Sequence, residues 1–324
     1  MTLKRLAALL GAVALVVGAI LLRNALDDNS NSSSAGPAEP GSYSLVCSTE
    51  FADVCTGLPD TYAVTIEAAG VTLDRLASVE PAALPDAWLT LDPFPAMLDE
   101  TRVRSQALQP AVASTDVLAM ADQVYSLPKA RADAFATACG SESVAKCVGD
   151  KAGMRWSDLG ASGIATEVNP GIADPSGEAV GLIAFANGVA GYFGTTDLQT
   201  DQWQDNAGFS DWMRNFVKNV TVLVSGSPLN VMLVRPSLVD VAATTSAEVA
   251  SNEQASGATV GTLTVSPAYR VRAVLATLGK RSKGLTDDLE KSLADHGWTT
   301  PAADEPALPQ STFIALRQLW KEST

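Results

Sequence analysis

The stretch Ser44-Leu45-Val46-Cys47-Ser48-Thr49-Glu50-Phe51, running on through Ala52-Asp53-Val54-Cys55-Thr56-Gly57 to Leu58, sets the reading of the whole chain. Ser44 to Cys47 predicts a short buried strand. Phe51 to Leu58 predicts a helix that begins just after the hydroxyl and acid groups of Ser48, Thr49 and Glu50. Working outward, Tyr62 to Glu67 alternates apolar and polar residues, the period of a half-buried strand. Thr72 to Ser78 fits a second helix, and Ala87-Trp88-Leu89-Thr90-Leu91 is again strand-like until Pro93 and Pro95 break it. Strands and helices in alternation imply a mainly parallel sheet covered by helices, an α/β fold.

The pattern continues downstream. Val117 to Leu127 is a mixed stretch suited to crossing between two lobes, and Lys129 to Cys139 predicts a helix stopped by Gly140. Trp156 to Leu159 is a single helical turn. Asp174-Pro175-Ser176-Gly177 opens the long apolar segment Glu178 to Phe193. Asp211 to Val220 predicts a helix, Val231 to Val234 a strand, and Ser246 to Glu253 a helix. Thr259 to Val265 alternates, as a second crossing strand would. Ala268 to Leu278, Thr286 to His296 and Ser311 to Glu322 predict helices, and the proline-rich Thr299 to Pro309 predicts a loop.

At the N-terminus, Lys4 and Arg5 precede an uncharged apolar run, Leu6 to Leu22, closed by Arg23. A run of that length rises about 25 Å as a helix, near the short end of a membrane span. Its flanking charges predict an N-terminus inside and the rest of the chain outside. A cleaved signal peptide is the rival, but Arg23 stands where the cleavage pattern wants a small residue. Residues 1–26 thus form an expected anchor or signal segment. Residues 27–42, rich in Asn, Ser, Gly and Pro, form an expected flexible linker.

Of the 324 residues, 22 are basic and 36 acidic, a net charge of -14. Such a surface repels phosphate backbones and argues against nucleic-acid binding. The cysteines are Cys47, Cys55, Cys139 and Cys147, two pairs of equal spacing. An extracytoplasmic setting favours disulfides, for which three connectivities exist; the local pairing, Cys47–Cys55 and Cys139–Cys147, is the simplest. A zinc site would want closer cysteines or several histidines, and His296 is the only histidine, so no metal or cofactor is expected. No nucleophile elbow, phosphate-binding loop or dinucleotide fingerprint is present.

The order strand, Cys47-Ser48-Thr49-Glu50, helix resembles the opening of type II periplasmic (extracellular) solute-binding proteins. Ala87 to Pro93, with Asp92, is similar to their next ligand-facing strand and loop. Leu118 to Pro128 resembles the outgoing crossing strand, Val260 to Pro267 the return. Asp174-Pro175-Ser176-Gly177-Glu178-Ala179-Val180-Gly181 is similar to the turn that starts a lobe-two helix. The resemblance implies two α/β lobes joined by two crossing strands, here preceded by one N-terminal transmembrane helix. Lobe one would comprise residues 43–127 and 257–324, and lobe two residues 128–256.

The resemblance further implies a ligand in the interlobe cleft. Helix starts carry unpartnered N–H groups and partial positive charge, so Ser48, Thr49, Ser176 and Gly177 are candidate ligand residues. Simple N-capping is the plainer use of such residues. Glu50 and Asp92 would oppose an anion and favour an amine or polyol, unless they are ordinary loop charges. Thr244 and Thr245 would close the cleft from lobe two or form a turn, and Tyr125 would wall it or pack. The expected function is non-catalytic capture of a small polar solute, handed to a membrane permease or reported to an envelope protein. The alternatives are an anchored interaction protein that has lost its ligand and, further off, an envelope hydrolase using His296.

Overall fold

The structure, a computed structural model, describes residues 43–257, 259–302 and 307–324. The expected membrane helix, Leu6 to Leu22, and the linker lie outside these residues. Among the described residues no helix is long and apolar enough to cross a membrane.

The chain runs β1 (Tyr43–Cys47), α1 (Ala52–Thr56) after a 3-10 turn at Thr49–Phe51, β2 (Tyr62–Ile66), α2 (Ala69–Leu76), β3 (Ala87–Leu91), α3 (Phe94–Gln106) and β4 (Ser114–Ala121). There follow β5 (Gln123–Leu127), α4 (Lys129–Cys139), α5 (Val144–Lys151), β6 (Pro170–Ala173), α6 (Ala179–Phe193), α7 (Asp201–Gln204), α8 (Ala207–Asn219), β7 (Thr221–Leu223), α9 (Pro228–Val234), β8 (Val241–Thr245), α10 (Ser246–Ser256) and β9 (Gly261–Thr264). The chain closes with β10 (Val271–Thr277), α11 (Lys283–Asp295) and α12 (Gln310–Ser323).

Two sheets result, in the orders β2-β1-β3-β10-β4 and β7-β6-β8-β5-β9. In each, three neighbouring strands are parallel, and one strand, β10 or β5, runs against the strands on both sides of it. Those two antiparallel strands are the ones that follow a crossing. Asp122 alone separates β4 in sheet one from β5 in sheet two, and residues 265–270 carry the chain back from β9 to β10.

The expected lobe borders shift accordingly. Residues 123–127, set with lobe one on sequence, pair in sheet two; so does β9, which hydrogen-bonds to β5 although it lies beyond Gly257. The second crossing is therefore made by the six residues after β9, not by β9 itself.

Two elements depart from the sequence expectation. Ala268–Leu278 is not a helix: its core is β10, a central strand buried at every position. A strand covered on both faces has no reason to alternate, so its apolar run lacks the period that marks a strand. Val231–Val234 is not a strand but the end of α9, nucleated by Pro228 in the first turn and by the Ser227 hydroxyl, which accepts the Asn230 N–H at 3.2 Å. The strand β3 ends at Leu91, before Pro93 and Pro95 as expected, and Pro95 lies in the first turn of α3.

The cysteines pair locally, Cys47 with Cys55 and Cys139 with Cys147. The first ties β1 to α1, and the second ties α4 to α5. Helix α12 packs on α3 of lobe one and on α6 of lobe two, with Trp320 against Phe185 at 5.2 Å between ring centres. The Asn187 side chain of α6 grips the return crossing: its Oδ1 accepts the Tyr269 N–H at 2.6 Å and its Nδ2 donates to the Tyr269 carbonyl at 3.1 Å.

Candidate functional site

Between the lobes lies a gap of about 310 Å³. Lobe one lines it with Thr49, Glu50 and Asp53 from the β1–α1 junction, and with His296 and Trp298 after α11. Lobe two contributes Glu178 at the start of α6, Ser227 and Asn230 at the start of α9, Thr245 at the end of β8, and Glu248, Ser251 and Asn252 from α10. A larger and more open groove, about 760 Å³, runs between α8 of lobe two and α12 of lobe one, lined by residues such as Phe209, Met213 and Leu319.

Of the residues singled out on sequence, Thr49, Glu50 and Thr245 line the gap. Ser48, one residue earlier, is fully buried in lobe one; its hydroxyl donates to Thr90 Oγ1 at 2.8 Å and accepts Trp88 Nε1 at 3.2 Å. Asp92 is buried against Arg272 at 2.8 Å and accepts the Leu308 N–H at 3.0 Å. It is a scaffold charge and not a wall of the gap, because a guanidinium and an amide already satisfy it. Thr244 is buried, its hydroxyl donating to Glu248, and Tyr125 packs in the core opposite Ala243 and Leu263, where burial raises its phenol.

Ser176 and Gly177 do sit between the lobes, but they clasp them together beside the gap. The Gly177 carbonyl accepts the Gly70 N–H at 2.7 Å, and the Ser176 carbonyl accepts Arg317 Nε at 2.8 Å. Arg317, on α12, also reaches Asp74 at 2.8 Å and the Gly70 carbonyl at 3.3 Å. The approach is close enough that only glycine fits at position 70: a Cβ there would stand 2.3 Å from the Ser176 oxygen. A third tie is the Thr49 hydroxyl of lobe one, which donates to Glu178 of lobe two.

Acids stand beside two of the helix starts, with their carboxylates turned to hydroxyls and not to the helix N–H groups. Glu178 is the residue before the first turn of α6. Glu248 lies in the first turn of α10, its N–H donating to the Thr245 hydroxyl at 3.1 Å. The Glu248 carboxylate turns to the Thr244 and Ser227 hydroxyls and the gap. Burial raises all three glutamates. For Glu50 the second cause is the like charge of Glu178, and the carboxyl reaches about 8. For Glu178 Asp174 adds to burial. For Glu248 burial outweighs the two hydroxyl donors. Glu50 Oε1 is closed from solvent and has no hydrogen-bond partner among the described residues. His296, the lone basic residue in the described lining, sets its Nδ1 2.7 Å from the Ser292 carbonyl.

Glu178 and Glu248 were not picked on sequence. The Thr245-x-x-Glu248 spacing is that of a capping box and marks a helix start, yet it does not say which way the glutamate turns.

Two lobes of this topology, joined by two crossings with a gap between them, define the fold of the type II periplasmic solute-binding proteins. A periplasmic thiamin-binding protein superposes over 89% of this chain and 96% of its own, at 11% identity and a TM-score of 0.52. Iron-bound HitA from Pseudomonas aeruginosa covers 87% of this chain and 99% of its own, at 12% identity and 0.50. AfuA from Actinobacillus pleuropneumoniae, with fructose-6-phosphate bound, covers 84% and 88%, at 11% identity and 0.50. At such identities the likeness is one of fold. No family model matches the sequence, and no curated protein does.

Proposed function

We propose that this protein captures a small polar solute between its lobes, outside the cytoplasm, without any covalent step. The observation that carries this reading is the polar gap itself, built from both lobes across two crossings. Lobes linked by two short connections rock about them, so a ligand that touches both lobes favours the closed form. The local disulfides suit an oxidising compartment. An N-terminal anchor would keep the lobes at the membrane surface, where a permease or an envelope partner would receive the solute. Site residues on this reading are Thr49, Glu50 and Thr245, joined by Glu178 and Glu248.

The direct ties between lobes, Thr49 to Glu178, Gly70 to Gly177 and Arg317 to Ser176, favour a second reading, in which the lobes are locked and the surface serves another protein. A thermal-shift screen of the full chain against amino acids, amines, sugars and oxyanions separates the two. A solute at 100 times its dissociation constant adds about 2.7 kcal/mol to stability. A shift from any class supports capture; silence across all classes, with an unchanged radius of gyration in solution scattering, supports the locked form.

A further inference from the structure

We propose that the solute is a small organic cation, an amine, held by Glu50 of lobe one together with Glu178 and Glu248 of lobe two. This rests on reading the gap as a solute site. Closing the lobes places acids from both sides around one enclosed volume, and the described lining offers no lysine or arginine to balance them. Buried carboxylates normally carry such a partner, because desolvating an ion without a counter-charge is strongly unfavourable. The partners that Glu178 and Glu248 do have are the hydroxyls of Thr49, Thr244 and Ser227, which donate hydrogen bonds but supply no positive charge. Glu50 Oε1 has none, although closed from solvent. Glu178 and Glu248 stand at the starts of α6 and α10, so an anion entering the gap there would meet their negative charge.

A bare metal ion fits less well. Among the described residues no three His, Cys, Asp or Glu side chains converge on one point. Calcium and magnesium need six or more oxygens at about 2–2.6 Å, which acids spread around a gap of about 310 Å³ do not supply. An extended amine meets separated carboxylates one by one. Trp298 brings an aromatic ring to the wall, suited to an ammonium or its alkyl chain, and Asn230, Ser251 and Asn252 bring neutral acceptors.

The test is isothermal calorimetry on the full chain with 1,4-diaminobutane and choline, against calcium ion, sulfate and glucose. The expected result is binding of one or both amines, tightening at least tenfold between pH 6 and pH 8 as Glu50 gives up its proton. The charged groups facing the same space are Asp53 on α1, Glu178 with Asp174 behind it, Glu248 on α10, and His296 after α11. Protonation of any of these also disfavours a cation, so the sign of the pH effect does not depend on which one leads. Glu50→Gln and Glu248→Gln, each checked for native circular dichroism, should weaken amine binding at least tenfold and flatten the pH profile. Should a variant misfold, the wild-type pH profile and the rank of amine over sulfate still decide. Binding of calcium alone overturns the organic cation. Binding of sulfate or glucose, undiminished by either variant, overturns the charge assignment while leaving solute capture standing. Absence of binding by every probe overturns both.

Discussion

The molecule buries carboxylates in two ways. In the scaffold, Asp240 accepts from Arg131 Nη1 at 2.5 Å, from Trp156 Nε1 at 2.7 Å and from the Asn169 N–H at 2.8 Å. Asp92 is held the same way by Arg272 and Leu308. At the gap, Glu178 and Glu248 have hydroxyl donors, and Glu50 has Thr49 beside it and the like charge of Glu178 nearby. Burial is the largest cause raising the carboxyl in both settings, but only in the scaffold does a guanidinium push back. The contrast separates acids neutralised by a guanidinium from acids whose described donors are hydroxyls.

The sharpest way to break the comparison is Asp240→Asn. It leaves Arg131 buried without its counter-charge and should cost about 3–5 kcal/mol, read by urea denaturation; a loss below about 1 kcal/mol would put Asp240 in the same class as the gap acids. Gly70→Ala acts on the gap instead. Its new Cβ would strike the Ser176 carbonyl, so the lobes must part, at about 1–3 kcal/mol. Solution scattering should report a larger radius of gyration, and the Glu50 carboxyl, now wet, should titrate nearer its ordinary value while the Asp240 network is unmoved.

The smallest effect is expected from Glu50→Gln. Because burial lifts the Glu50 carboxyl from 4.5 to about 8, the native state holds its proton longer than the unfolded chain does. Its contribution to stability is therefore complete below the unfolded value and lost as pH rises through about 8. The variant should match the parent near pH 4 and exceed it by on the order of 1 kcal/mol near pH 9, in thermal melts run across that range. A variant less stable at pH 9 than the parent would mean that Glu50 has a cationic partner after all.

Much of the layering was legible. Ala87–Leu91, Lys129–Cys139 and Trp156–Leu159 have the bounds their apolar pattern and terminal Gly or Pro announce. What the pattern misplaced was short and mostly apolar. β10 lacks alternation because helices and loops cover both its faces. α9 offers only seven residues, fewer than the eleven or more a helical period needs to declare itself. At the site, Thr49 and Glu50 were recognisable from their place at a strand end. Ser48 was not separable from them, although the turn sends it inward to Trp88 and Thr90.

By itself, then, the sequence determined the α/β layering, the acidic character, the cysteine spacing that local bridges require, and the hydroxyl and acid groups at the helix starts. These follow from neighbours along the chain, through backbone geometry and side-chain period. The tertiary structure alone decided which of those groups meet: Thr49 with Glu178 across 129 positions of sequence, and Ser176–Gly177 with Gly70 and Arg317. A side chain's solvent, partner and charge state depend on what the other lobe brings to within a few ångströms, and no local pattern encodes that distance.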